Sequence, residues 1–100
     1  MGTLSVTVYG EAVLASCAKK HPASRNPLAR FLKIARAAEW PHFAALKKTF
    51  STADLGKETG KVIFNIGGNK YRLVARVNFS MRALLIDEIL THEQYNRGTF

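Results

Sequence analysis

The chain predicts an α+β fold, with an N-terminal strand and two to three helices packed on one face of a mostly antiparallel sheet. Three observations predict it. An alternating, β-branched segment opens the chain, helical spacing of apolar residues fills its first half, and β-branched runs flank a Gly-Gly pair in its second. One hundred residues are the length of a single domain, long enough for one thin hydrophobic core.

Taken in order, residues 4–9 (Leu-Ser-Val-Thr-Val-Tyr) alternate apolar and polar side chains and read as a strand. Glu11 to Lys20 is Ala-rich and reads as a short helix stopped before His21-Pro22. Asn26-Pro27 is expected to open the next helix, Asn as cap and Pro in the first turn. Leu28, Phe31, Leu32, Ala35 and Ala38 form its apolar stripe, with Arg30, Lys33 and Arg36 off it. Pro41 ends that helix and starts another, whose buried side is Phe43, Leu46 and Phe50. Residues 51–60 read as a polar loop. Strands are then expected over Lys61 to Ile66, Lys70 to Phe79 and Ala83 to Leu90, with a polar tail from Thr91.

Composition narrows the function. Fifteen Lys and Arg oppose seven Asp and Glu, a net charge of +8. A small domain this basic favours polyanions, of which nucleic acid is the commonest. The lone Cys17 excludes an internal disulfide, leaves too few ligands for a zinc site and fits a reducing cytoplasm. Leu14-Ala15-Ser16-Cys17 has the form of a lipoprotein cleavage box. No cation precedes Lys19, however, and polar residues break the apolar run, so a secretion signal is rejected. No segment has the ~20 apolar residues that cross a bilayer. A cytoplasmic protein without membrane association is expected.

The central hairpin is the informative segment. Gly67-Gly68 between β-branched runs marks a tight turn, because such turns need positive φ. A two-residue turn there places Asn65 opposite Lys70, and sliding it to Gly68-Asn69 shifts the pairing by two without changing which residues share a face. Val62, Phe64, Ile66, Tyr71, Leu73, Ala75 and Val77 then cover the helices. Lys61, Asn65, Lys70, Arg72 and Arg76 gather on the opposite face, successive residues about 6.6–6.8 Å apart. Acidic partners are absent from both strands, and like charges this close cost stability, so an anion-binding face is expected. Asp87 on the following strand is the residue able to neutralise it. His92, just past that strand, can exchange protons near neutrality, and Tyr95 lies three residues on. His21 and His42 each adjoin a proline at a helix boundary.

Three segments together resemble one family. They are Ala45-Leu46-Lys47-Lys48-Thr49-Phe50-Ser51-Thr52-Ala53-Asp54, the hairpin Val62-Ile63-Phe64-Asn65-Ile66-Gly67-Gly68-Asn69-Lys70-Tyr71-Arg72-Leu73, and Leu90-Thr91-His92-Glu93-Gln94-Tyr95-Asn96. They resemble the loop-entry, hairpin and C-terminal motifs of HigB-type toxins of the RelE superfamily, over roughly residues 19 to 99. The chain departs at Asn96, where the family usually has Asp, and at Asp87, where it often has a basic residue. The resemblance implies an endoribonuclease that cuts mRNA, typically on the ribosome. It also implies a paired antitoxin, usually a helix-turn-helix, HigA-like protein.

The chemistry expected of such residues needs no metal or other cofactor: the RNA 2′-hydroxyl attacks the adjacent phosphate and leaves a 2′,3′-cyclic phosphate. Arg72 is expected to grip the phosphate, Lys70 and Arg76 to stabilise its charge, and His92 to transfer protons, with Tyr95 orienting the RNA or aiding proton transfer. Asn65 and Asn69 would position the nucleotide, and Lys47, Lys48 and Lys61 would extend the contact to the RNA backbone. Two rival readings use the same face: a non-catalytic RNA- or ribosome-binding module, and a degenerate toxin that only binds its antitoxin.

Overall fold

The structure is a computed structural model that describes residues 6–56, 59–68 and 70–97. Its elements run β1 (Thr7–Tyr9), α1 (Glu11–Lys20), a 3-10 turn (Pro22–Ser24), α2 (Arg25–Ala37), α3 (Phe43–Thr49), β2 (Asp54–Leu55), β3 (Val62–Ile66), β4 (Tyr71–Asn78), β5 (Ala83–Thr91) and α4 (His92–Arg97). Five strands form one sheet in the order β1-β5-β4-β3-β2. Only the β1–β5 pairing is parallel. Layers and topology agree with the α+β expectation.

The alternation read in β1 holds where it is described, with Val6 and Val8 buried and Thr7 and Tyr9 exposed. At Gly10 the backbone turns with φ +93°, and a Cβ there would lie 2.7 Å from the Ile86 carbonyl oxygen. Glycine is required on both counts. Leu28, Phe31 and Ala35 form the buried stripe of α2. They meet Phe64, Leu73, Ala75, Leu84 and Ile86 from the sheet. Phe64 sits among aromatic rings, its centroid 5.0 Å from Phe31 and 5.2 Å from Phe50.

Three expectations are corrected and one alternative is decided. Helix α2 starts at Arg25 rather than behind an Asn26 cap, because Ser24 joins it to the 3-10 turn. The Ser24 hydroxyl instead turns back to donate to the His21 carbonyl at 2.7 Å, which also accepts from the Ser24 N–H at 2.8 Å. The 51–60 loop contains the two-residue edge strand β2, paired through Asp54↔Ile63 and Leu55↔Val62. Of the two hairpin registers, the observed one pairs Ile66 with Tyr71 and Asn65 with Arg72. The polar tail carries α4, which starts with reciprocal bonds: Thr91 N–H donates to Gln94 Oε1 at 2.9 Å and Gln94 N–H to Thr91 Oγ1 at 3.2 Å. This is a capping box. The expected positions Leu4, Ser5 and Asn69 lie outside the described residues.

Candidate RNA-binding and cleavage site

The outer face of the β3–β4 hairpin follows from the register. Lys61, Ile63 and Asn65 share it with Arg72, Val74 and Arg76. At its centre Ile63 and Val74 are buried, an apolar pair between two polar ends.

At the turn end, Arg72 is only 8% exposed. One guanidinium nitrogen donates to the Tyr71 carbonyl at 3.3 Å, and another lies 3.2 Å from His92 Nδ1. Its Cζ stands 5.4 Å from the centroid of the Tyr95 ring, over the ring's face, where a cation is attracted. The backbone assembles this group. The Lys70 carbonyl accepts from the His92 N–H at 3.0 Å, tying the start of α4 to the hairpin turn. His92 and Lys70 are exposed, and Tyr95 is half-buried.

The tautomer of His92 follows from its neighbours. A guanidinium can only donate, so Nδ1 accepts and the proton of the neutral ring sits on Nε2. Nε2 is 3.2 Å from the Asn96 amide, and turning that amide to present its oxygen satisfies the bond. Asn96 thus holds the far side of the ring. Sequence reasoning gave it no role, although its i,i+4 spacing from His92 on a helix is a readable signal.

At the other end, Asp87 neutralises the cationic face, the outcome its place on the strand after the hairpin left open. Val74 pairs with Glu88 but Ala75 with Ile86, so Asp87 is the extra residue of a β-bulge in β5. Its carboxylate meets the outer face. Arg76 donates from Nε and NH2 to Oδ1 at 3.2 and 3.0 Å, and Lys61 Nζ lies 3.1 Å from Oδ2. Burial raises the Asp87 pKa, but Lys61 and Arg76, held against it, outweigh burial and keep it below its ordinary value. Lys61 and Arg76 therefore carry a counter-ion, because the bulge brings in an acid that neither hairpin strand contains.

The remaining candidates are spread out. Lys47 is held by a hydrogen bond from Nζ to the Ala53 carbonyl. Lys48 is exposed on α3, and Asn65 is half-buried beside Arg72 on the neighbouring strand. Among the described residues, no group of three or more His, Cys, Asp or Glu could hold a metal ion, and no helix is long and apolar enough to cross a membrane.

Comparison with known proteins gives the family. The profile of the HigB toxin family, described as the RelE-like toxic component of a toxin-antitoxin system, matches residues 24–98. The mRNA interferase toxin HigB of Escherichia coli (strain K12) is 30% identical over 87 residues, covering 86% of this chain and 84% of that protein. The mRNA interferase HigB of Shigella flexneri matches to the same extent. That of Escherichia coli O6:H1 is 23% identical over 93 residues, covering 92% of this chain and 90% of its own. The α+β sheet, the hairpin with Arg72 and the family match over three quarters of its length together show that this chain belongs to the HigB family of RelE-like toxins, the toxic components of toxin-antitoxin systems.

Proposed function

We propose that the protein is an mRNA endoribonuclease that cuts on the ribosome in the cytoplasm and is silenced by a cognate helix-turn-helix, HigA-like antitoxin. The reading is supported above all by one contact, that of the buried Arg72 guanidinium with the exposed His92 imidazole at 3.2 Å. It puts a phosphate ligand and a proton carrier side by side.

In this mechanism the scissile phosphate takes Arg72, whose planar fork matches two phosphate oxygens. That draws the guanidinium off His92 and frees the Nδ1 lone pair. His92 takes the proton from the 2′-hydroxyl as the 2′ oxygen attacks phosphorus. The bond to the 5′ oxygen breaks, and the proton held by His92 is available to that departing oxygen. The products are a 2′,3′-cyclic phosphate and a 5′-hydroxyl. Arg72 and Lys70 stabilise the added charge on phosphorus. Tyr95 backs Arg72, Asn96 orients His92, and Asn65, Asn69 and Lys48 hold flanking nucleotides. The ribosome supplies alignment, which can be worth ~7–11 kcal/mol of a barrier.

The test is cleavage of a defined mRNA in a translating extract by the wild-type protein, His92→Ala and Arg72→Ala, with the new ends mapped chemically. Wild type should leave cyclic phosphates, and His92→Ala should be slower by about 10²–10⁴-fold, the range of proton-transfer catalysis. New 5′-phosphate ends, or both variants cutting as fast as wild type, would end the proposal. Equal cutting of naked mRNA would remove the ribosome from it. Co-expression of a cognate helix-turn-helix, HigA-like antitoxin should restore growth.

A further inference from the structure

The Asp87 cluster is built like an occupied anion site. Arg76 directs two N–H groups at one carboxylate oxygen, while the Lys61 ammonium stands beside the other. That second oxygen is enclosed without an aligned hydrogen bond, compensated by the Lys61 charge. The carboxylate side chain is 18% exposed and the Arg76 side chain 63%, so the cation that faces solvent is engaged from beneath by an anion of the same chain. Asp87 owes this position to the bulge between Val74 and Ala75.

A phosphodiester presents two anionic oxygens much as a carboxylate does, and a guanidinium binds either. Arg76 shares its strand face with Arg72, two same-face steps or about 13 Å away, comparable to two phosphate-to-phosphate steps along a single strand. We propose that Lys61 and Arg76 form a second phosphate subsite for RNA, closed by Asp87, whose carboxylate stands in for the phosphate. The proposal rests on the RNA-cleavage reading above and goes beyond it. A solvent-facing ion pair holds its partners by little, so an RNA strand already gripped at Arg72 can compete for Arg76. A random encounter with RNA backbone cannot do so as readily. Asp87 thereby lowers non-specific RNA binding and leaves the grip to the cleavage site.

The experiment measures binding of a mixed-sequence 2′-O-methyl oligonucleotide, which lacks the attacking hydroxyl, by fluorescence anisotropy across a salt series. Asp87→Asn should bind more tightly and with a steeper salt dependence. One newly neutralised phosphate adds about 0.7 to the slope for a single strand, or about 5-fold in affinity at ~0.1 M salt. Asp87→Ala, which leaves no amide to hold Arg76, should show the same change and covers the case in which the Asn variant fails to fold. Adding Lys61→Gln and Arg76→Gln to Asp87→Asn should remove the gain. Wild-type affinity and slope in both Asp87 variants overturn the subsite while leaving the cleavage reading intact, provided Arg72→Ala still weakens binding. If Arg72→Ala and salt leave wild-type binding unchanged, the RNA face falls, and the subsite with it.

Discussion

Removing the Tyr95 ring tests how the site holds its buried cation. The Arg72 carbon lies 5.4 Å from the ring centroid, and Arg72 is 8% exposed. A cation over an aromatic face is worth ~0.5–1 kcal/mol in the open and about 2 kcal/mol when desolvated. Arg72 is buried and Tyr95 half-buried, so about 1–2 kcal/mol is expected here. If that stabilisation is lost in the transition state, Tyr95→Ala lowers kcat/KM by about 5–30-fold. Tyr95→Phe keeps the face and should stay within about threefold of wild type. Single-turnover cleavage of a defined mRNA in a translating extract separates the two variants. A Phe variant as impaired as the Ala variant would refute the reasoning, because the hydroxyl and not the ring would then carry the effect.

Other predictions concern the scaffold. Phe64→Ala should destabilise the fold by about 3–5 kcal/mol in urea unfolding, since Phe64 is 1% exposed and wedged between Phe31 and Phe50; a loss below about 1 kcal/mol contradicts that packing. Gly10→Ala should cost more than Gly68→Ala. Both have positive φ, but only Gly10 would drive its Cβ against the Ile86 carbonyl, so Gly68→Ala is limited to the backbone penalty of ~1–2 kcal/mol. Asp87 has a folded pKa below its ordinary 3.8. Its contribution to stability is therefore complete above that value and is lost as pH falls through the folded one. The stability gap between wild type and Asp87→Asn should close on acidification, and a gap that widens contradicts the direction of the shift.

The hairpin was legible because alternation is a strict rule of strands. Whichever glycine turn formed, Arg72 shared a face with Asn65 and opposed the Tyr71–Leu73–Ala75 side. His92 was placed beside it only by chain proximity, and its orientation comes from α4. That helix has six residues and buries none, so no apolar period announces it. The Thr91-x-x-Gln94 capping pattern was the available signal. Asp87 was undecidable for a different reason. Ala83–Thr91 is apolar on both sides of the strand, and one bulged residue reverses the parity of everything beyond it. Strand β2, two residues long and exposed, is defined by its partner β3 and not by its own composition.

The bond from His92 N–H to the Lys70 carbonyl joins residues on either side of the entire β4–β5 ribbon. The contact of imidazole with guanidinium at 3.2 Å depends on that ribbon being paired through to its open end. Denaturant should therefore extinguish cutting in step with the loss of pairing at this end of the ribbon.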